Sequence, residues 1–100
     1  MYQGETITIL LEDMPIDPIY IQSLNIIFHT ASKTILTKTL NDCLVNGNTI
    51  QCKLSQEETL RFPCGPVDQS VIIVCNDGSR FEFSEGTIIV NPTSKQEVIS

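Results

Sequence analysis

Apolar and polar residues alternate along this chain with a period of two, in runs of five to ten residues. Ile7, Ile9 and Leu11 share one phase, with Thr6 and Thr8 on the other. Leu24, Ile26 and Phe28 repeat the pattern, as do Ile50, Cys52 and Leu54, and then Phe81 and Phe83. Such alternation marks half-buried strands. The predicted strands are Glu5 to Leu11, Ile21 to His29, Thr34 to Leu40, Asn48 to Leu54, Val67 to Asn76, Arg80 to Ser84 and Thr87 to Val90. The third is expected to run on to Leu44 and Val45, with a break at Asn41 and Asp42. Val71 to Cys75 is apolar in both phases, which predicts a central strand covered on both faces.

Turn chemistry punctuates these runs. Asn46-Gly47 and Asp77-Gly78 lie between strands and predict tight hairpins. Pro15 and Pro18 cannot donate to a ladder, so Asp13 to Pro18 is a crossover loop. Ser55 and Glu58 have capping-box spacing and predict one short helical turn near Gln56–Leu60, stopped by Pro63. Leu60 and Phe62 are expected to plug one end of the core. The pattern is all-β: an immunoglobulin-like β-sandwich of about seven antiparallel strands in one domain, residues 1–92, followed by a polar tail, 93–100. In that tail only Val98 and Ile99 form an apolar patch able to dock on a neighbour.

Composition narrows the function classes. Hydrophobic residues make up 41% of the 100 residues, enough for a core without metals or cross-links. Trp is absent, so Phe28, Phe62, Phe81 and Phe83 are the larger expected core pieces among Ile, Leu and Val. The formal charge is −6, with six basic residues scattered singly. A nucleic-acid interface needs a basic stripe, so DNA and RNA are not expected partners. The start has neither a basic nor an apolar leader region, and apolar runs fall far short of the roughly 20 residues that span a bilayer. The expectation is a cytoplasmic protein, or one carried in an assembled particle, without membrane contact.

Four cysteines and one histidine offer little chemistry. No Cys-x-x-Cys pair occurs, and His29 lacks ligand spacing, so neither metal nor cofactor is expected. With Asn46-Gly47 as the central turn residues, Cys43 falls opposite Ile50 and Asn41 opposite Cys52. The two thiols are then diagonal, about 7–8 Å apart, at the limit for bridging. All four cysteines read as free thiols, with Cys52 and Cys75 buried. No nucleophile motif or phosphate loop is present, and His29, at a strand end, reads as solvated. An enzyme is not expected.

The linear order Gly4-Glu5-Thr6-Ile7, Gly47-Asn48-Thr49-Ile50, the segment Leu54 to Phe62, Gly65-Pro66-Val67 and a strand ending in Asn76-Asp77-Gly78 resembles small virion proteins of phages and prophages. It is similar to the sandwich domain at the N-terminus of baseplate upper proteins. The resemblance spans roughly residues 4 to 90 and implies a structural or tail-assembly role with no catalytic residues. The expected function is a non-enzymatic protein-interaction module that binds other protein subunits, as a homo-oligomer or within a virion or tail. Its candidate edge is the Thr-rich strand carrying Thr34, Leu36 and Lys38; Lys38 and the threonines suggest an edge position, where charge blunts strand addition. The alternative is a ligand-binding module, for example for carbohydrate, using Tyr2 and Tyr20.

Overall fold

The structure, a computed structural model, describes residues 1–99. Ser100, the last residue of the expected tail, lies outside the described residues. Seven strands form: β1 (Ile7–Leu11), β2 (Ile21–His29), β3 (Thr34–Thr39), β4 (Cys43–Asn46), β5 (Thr49–Leu54), β6 (Gly65–Cys75) and β7 (Arg80–Val90). One short helix, α1 (Gln56–Leu60), joins β5 to β6. Two antiparallel sheets result, ordered β1-β5-β4 and β3-β2-β6-β7. This is an all-β sandwich.

The alternation seen in the sequence becomes the core. Leu11, Ile50, Cys52 and Leu54 line the inner face of the three-stranded sheet. Leu24, Ile26, Phe28, Val67, Val71 and Ile73 line that of the four-stranded sheet. Phe62, just past α1, closes one end and meets Phe28 with ring centroids 5.4 Å apart. The capping box starts α1 as expected. Glu58 N donates to Ser55 Oγ at 3.2 Å, and Ser55 N donates to Glu58 Oε1 at 2.9 Å.

Strand boundaries differ from the sequence reading in two compensating ways. A 3-10 turn, Leu40–Asp42, splits the expected third strand, and the two parts belong to different sheets. Asp42 Oδ2 fixes that turn by accepting from Thr39 N and Thr39 Oγ1 at 2.9 and 3.1 Å. Conversely, the expected sixth and seventh strands are one strand. Gln69 lies opposite Gly86 and Ser70 opposite Ser84, so Glu85 is an extra residue in a bulge. Gly86 absorbs it at φ +108°, a conformation open to glycine.

Three further expectations are corrected. The β4–β5 turn centres on Gly47-Asn48, with Asn46 opposite Thr49. Gly47 has φ +62°, as the first central residue of a type II′ turn requires. Cys43 therefore lies directly opposite Cys52, not diagonal to it. Secondly, β6 is central in strand order but packed on one face only. Ile72 and Val74 are half-buried on the outer face, where Arg80 and Glu82 flank them and pair at 3.5 Å. Thirdly, Phe81 points inward in phase yet stays 45% exposed. Three strands do not cover the inner face of four.

Phe28 and Phe81 thus have opposite expected sensitivities. Phe28→Ala, at a fully buried site, should lower unfolding free energy by about 3–5 kcal/mol in chemical denaturation. Phe81→Ala should lower it by about 1 kcal/mol or less, as expected of a residue that keeps much of its surface in water.

Candidate functional site

The edges of the two sheets are where this fold leaves backbone groups outside its own ladders. Strand β3 has β2 on one side and, among the described residues, no strand on the other. Its six residues, Thr34 to Thr39, therefore hold backbone groups unused by the ladder. The opposite edge of the same sheet is partly occupied. Beyond β7, Asn91 N donates to Met1 O at 2.7 Å and Gln3 N donates to Asn91 O at 3.0 Å. Tyr2 and Asn91 form a parallel bridge there.

The charge of Lys38 does not stand free at this edge. Lys38 lies opposite Ile26, in the inward phase of β3, as does Leu36 opposite Phe28. Its ammonium reaches Glu58 Oε2 at 2.5 Å, with both side chains largely covered. The ion pair ties β3 to the first turn of α1. Burial on its own would pull the Lys38 ammonium down, but the Glu58 hydrogen bond and charge outweigh it and the net shift is upward. Burial likewise pushes the Glu58 carboxyl up, and is outweighed by Lys38 and by the Ser55 amide, leaving it below its usual value.

The tail is folded back on its own domain. Gln56 Nε2 donates to Ile99 O, and Ile99 N donates to Gln56 Oε1, both at 2.8 Å. Gln96 Nε2 donates to Gln3 Oε1 at 2.9 Å. Val98 and Ile99 nevertheless keep more than half of their surface in water.

A second concave region lies where the crossover loop meets the β6–β7 turn. Ile16, Tyr20, Asn76, Asp77, Ser79 and Phe81 surround a cavity of about 340 Å3. Tyr20, as expected, is exposed, and Phe81 joins it. Asp77 Oδ1 accepts from Ser79 N at 2.9 Å, and that bond holds its carboxyl below the ordinary range. Phe81 was missed by sequence reasoning because its phase is inward; only the count of strands in each sheet reveals it.

His29 Nε2 and Ser70 Oγ lie 2.9 Å apart on the outer face of the four-stranded sheet. His29 is thus half-buried and hydrogen-bonded rather than solvated. Among the described residues, no group of three or more metal-ligating side chains converges, and no helix is long and apolar enough to cross a membrane. Comparison with protein-family models, with curated proteins and with solved structures gives no match.

The Lys38–Glu58 pair sets a pH window. Glu58 has a lowered folded-state pKa, so its contribution is present above about 4.5 and is lost as pH falls through the folded value. Lys38 has a raised one, so its contribution is present below about 10.5 and is lost as pH rises through the folded value. The pair's own contribution should be flat between these limits and fall beyond each. Replacing Lys38 with Met should flatten the alkaline fall, and a double-mutant cycle with Glu58→Gln should give a coupling of about 0.5–3 kcal/mol. A coupling near zero would show the pair to be structurally idle.

Proposed function

We propose that this chain is a non-enzymatic protein-interaction module that pairs with other protein subunits through the free edge of β3. We further propose that it is a structural or tail-assembly component of a phage or prophage particle, made in the cytoplasm and acting as a homo-oligomer or within a virion. The observation that carries the reading is the contrast between the two edges of the four-stranded sheet. One is occupied near Asn91 by residues 1–3, and the other is a six-residue strand with no neighbouring strand among the described residues. Strand addition draws affinity from backbone bonds of that kind. Lys38 does not oppose it, because its charge is already met by Glu58 and an added strand leaves it paired.

The strand order supports an immunoglobulin-like assignment within the sandwich class. Strands β1, β5 and β4 then take the places B, E and D, while β3, β2, β6 and β7 take C′, C, F and G. The sequence likeness to phage virion proteins quoted above supports the assembly role. The acidic surface, −6 overall, supports a protein partner over a nucleic acid.

One observation favours a second reading, a carbohydrate-binding module. Two exposed aromatics, Tyr20 and Phe81, flank a cavity that also presents Asn76, Asp77 and Ser79. Aromatic faces suit the apolar faces of sugar rings, and amide and carboxylate groups suit their hydroxyls. Titration with oligosaccharides, followed by amide shifts of Asp77 and Ser79 in the native protein and in Phe81→Ala, decides this reading. Unshifted amides in the native protein would dismiss it.

For the first reading, size exclusion with light scattering and pull-down against proteins encoded by adjacent genes form the test. Capture should weaken about tenfold or more in Thr37→Lys, which adds a charge to the exposed face of β3. It should persist in Ser84→Lys on β7. A strict monomer that captures none of these proteins overturns the proposal.

A further inference from the structure

We propose that Cys43 and Cys52 form a cross-strand thiol pair that a small-molecule disulfide, such as oxidised glutathione, converts to an intramolecular disulfide. The register places the two residues directly opposite each other on β4 and β5. Counting from the turn-closing pair Asn46–Thr49, hydrogen-bonded and non-hydrogen-bonded pairs alternate. Asn46–Thr49 is hydrogen-bonded, Val45–Ile50 is not, Leu44–Gln51 is, and Cys43–Cys52 is not. A non-hydrogen-bonded pair brings the Cα atoms to about 4.5 Å, with the side chains on one face and close together. That separation lies inside the range disulfides span, about 4.4–6.8 Å. The two thiols are near enough for each to shift the other's ionisation.

The other cysteines lack this arrangement. All four are free thiols; Cys75 is buried in β6 and Cys64 is exposed beyond α1. Cys43 is half-buried and is the entry point for a soluble oxidant, whereas Cys52 is fully enclosed. The Cys43 thiolate attacks one sulfur of oxidised glutathione, forming a mixed disulfide and expelling one glutathione thiolate. The Cys52 thiolate then attacks the Cys43 sulfur, forms the protein disulfide and expels the second glutathione. The protein loses two protons and two electrons, and oxidised glutathione is reduced to two thiols. Burial pushes both protein thiols up, Cys52 to about 12, so closure is slow near neutrality and faster at alkaline pH. Closure also breaks the bond that Cys43 Sγ donates to Thr39 O at 3.2 Å. It staples the β4–β5 hairpin beside the turn where the chain changes sheets. The pair stays reduced in a reducing compartment and closes in an oxidising one.

The test uses the full chain, reduced and then equilibrated at alkaline pH with oxidised glutathione and enough reduced glutathione to keep the exposed lone thiol of Cys64 free of mixed disulfide. Thiol titration in denaturant should fall from four to two in the monomeric product, and reductant should restore four. Trypsin cuts after Lys38, Lys53, Arg61 and Arg80, so the fragment 39–53 carries Cys43 and Cys52 while 62–80 carries Cys64 and Cys75. The first fragment should appear unalkylated and lighter by two hydrogens, and the second doubly alkylated. Cys43→Ser should keep all three remaining thiols unbridged, and Cys64→Ser should still lose two. Closing a ten-residue loop should raise the melting temperature of the native protein by about 5 °C or more. A fragment 39–53 that stays doubly alkylated overturns the proposal, whatever happens at Cys64. So does a product in which Cys43 is bridged only between molecules.

Discussion

The inequality of the two sheets governs this molecule. Three strands pack on four, and the apolar inner faces cannot match in width. Where both sheets are present, burial is complete, as at Ile26, Phe28, Ile50, Leu54, Val67 and Val71. Full burial of side chains of this size supplies about 1.5–3 kcal/mol each relative to exposure, so this block holds the domain together. At the margins of the wider sheet the same inward phase meets less cover. The β3 margin resolves this with a charge pair, Lys38 and Glu58. The β7 margin leaves Phe81 open beside Tyr20. Both surfaces with functional potential are therefore consequences of one architectural mismatch.

The helix signal was fully legible in the sequence. The Ser55–Glu58 capping box needs only four residues to specify itself, and α1 lies where it predicts. Strand phases were legible too, because alternation is a property of each strand alone. What failed was non-local. Nothing in the residues 34–46 announces that the chain changes sheets at Leu40–Asp42, since both halves alternate acceptably. The Glu85-Gly86 pair reads equally as a turn or a bulge, and only pairing with Gln69 and Ser70 decides for the bulge.

The hairpin register is the most instructive failure. The tripeptide Asn46-Gly47-Asn48 accommodates a type I′ turn on its first two residues or a type II′ turn on its last two. The two registers differ by two positions, so both keep Cys43, Val45, Ile50 and Cys52 on the inner face. Burial, which usually fixes register by penalising a one-residue slip, is blind to this choice. Yet the choice moves Cys43 from a diagonal to a direct neighbour of Cys52. A feature with chemical consequence thus rested on a distinction that hydrophobic patterning does not make. Lys38 is the converse case. Its inward phase was legible from Leu36, two residues earlier, but its charge suggested an edge that repels strands; Glu58, twenty residues on, supplies the partner that lets phase prevail.

The β3 edge joins these strands of reasoning. Backbone groups along Thr34–Thr39 carry affinity without sequence information, so selectivity must come from the side chains beside them. On the inner side an arriving strand would meet Leu36 and the stem of Lys38, whose head is held by Glu58. On the outer side it would meet Thr37, small and uncharged. An apolar residue facing Leu36, alternating with a small polar one facing Thr37, matches this edge. A carboxylate on the inner side would compete with Glu58 for the only cation nearby in β3. On the proposed reading, the ion pair that anchors β3 to α1 would also shape what the edge accepts, so that the contact that completes the fold would set the selectivity of its open side.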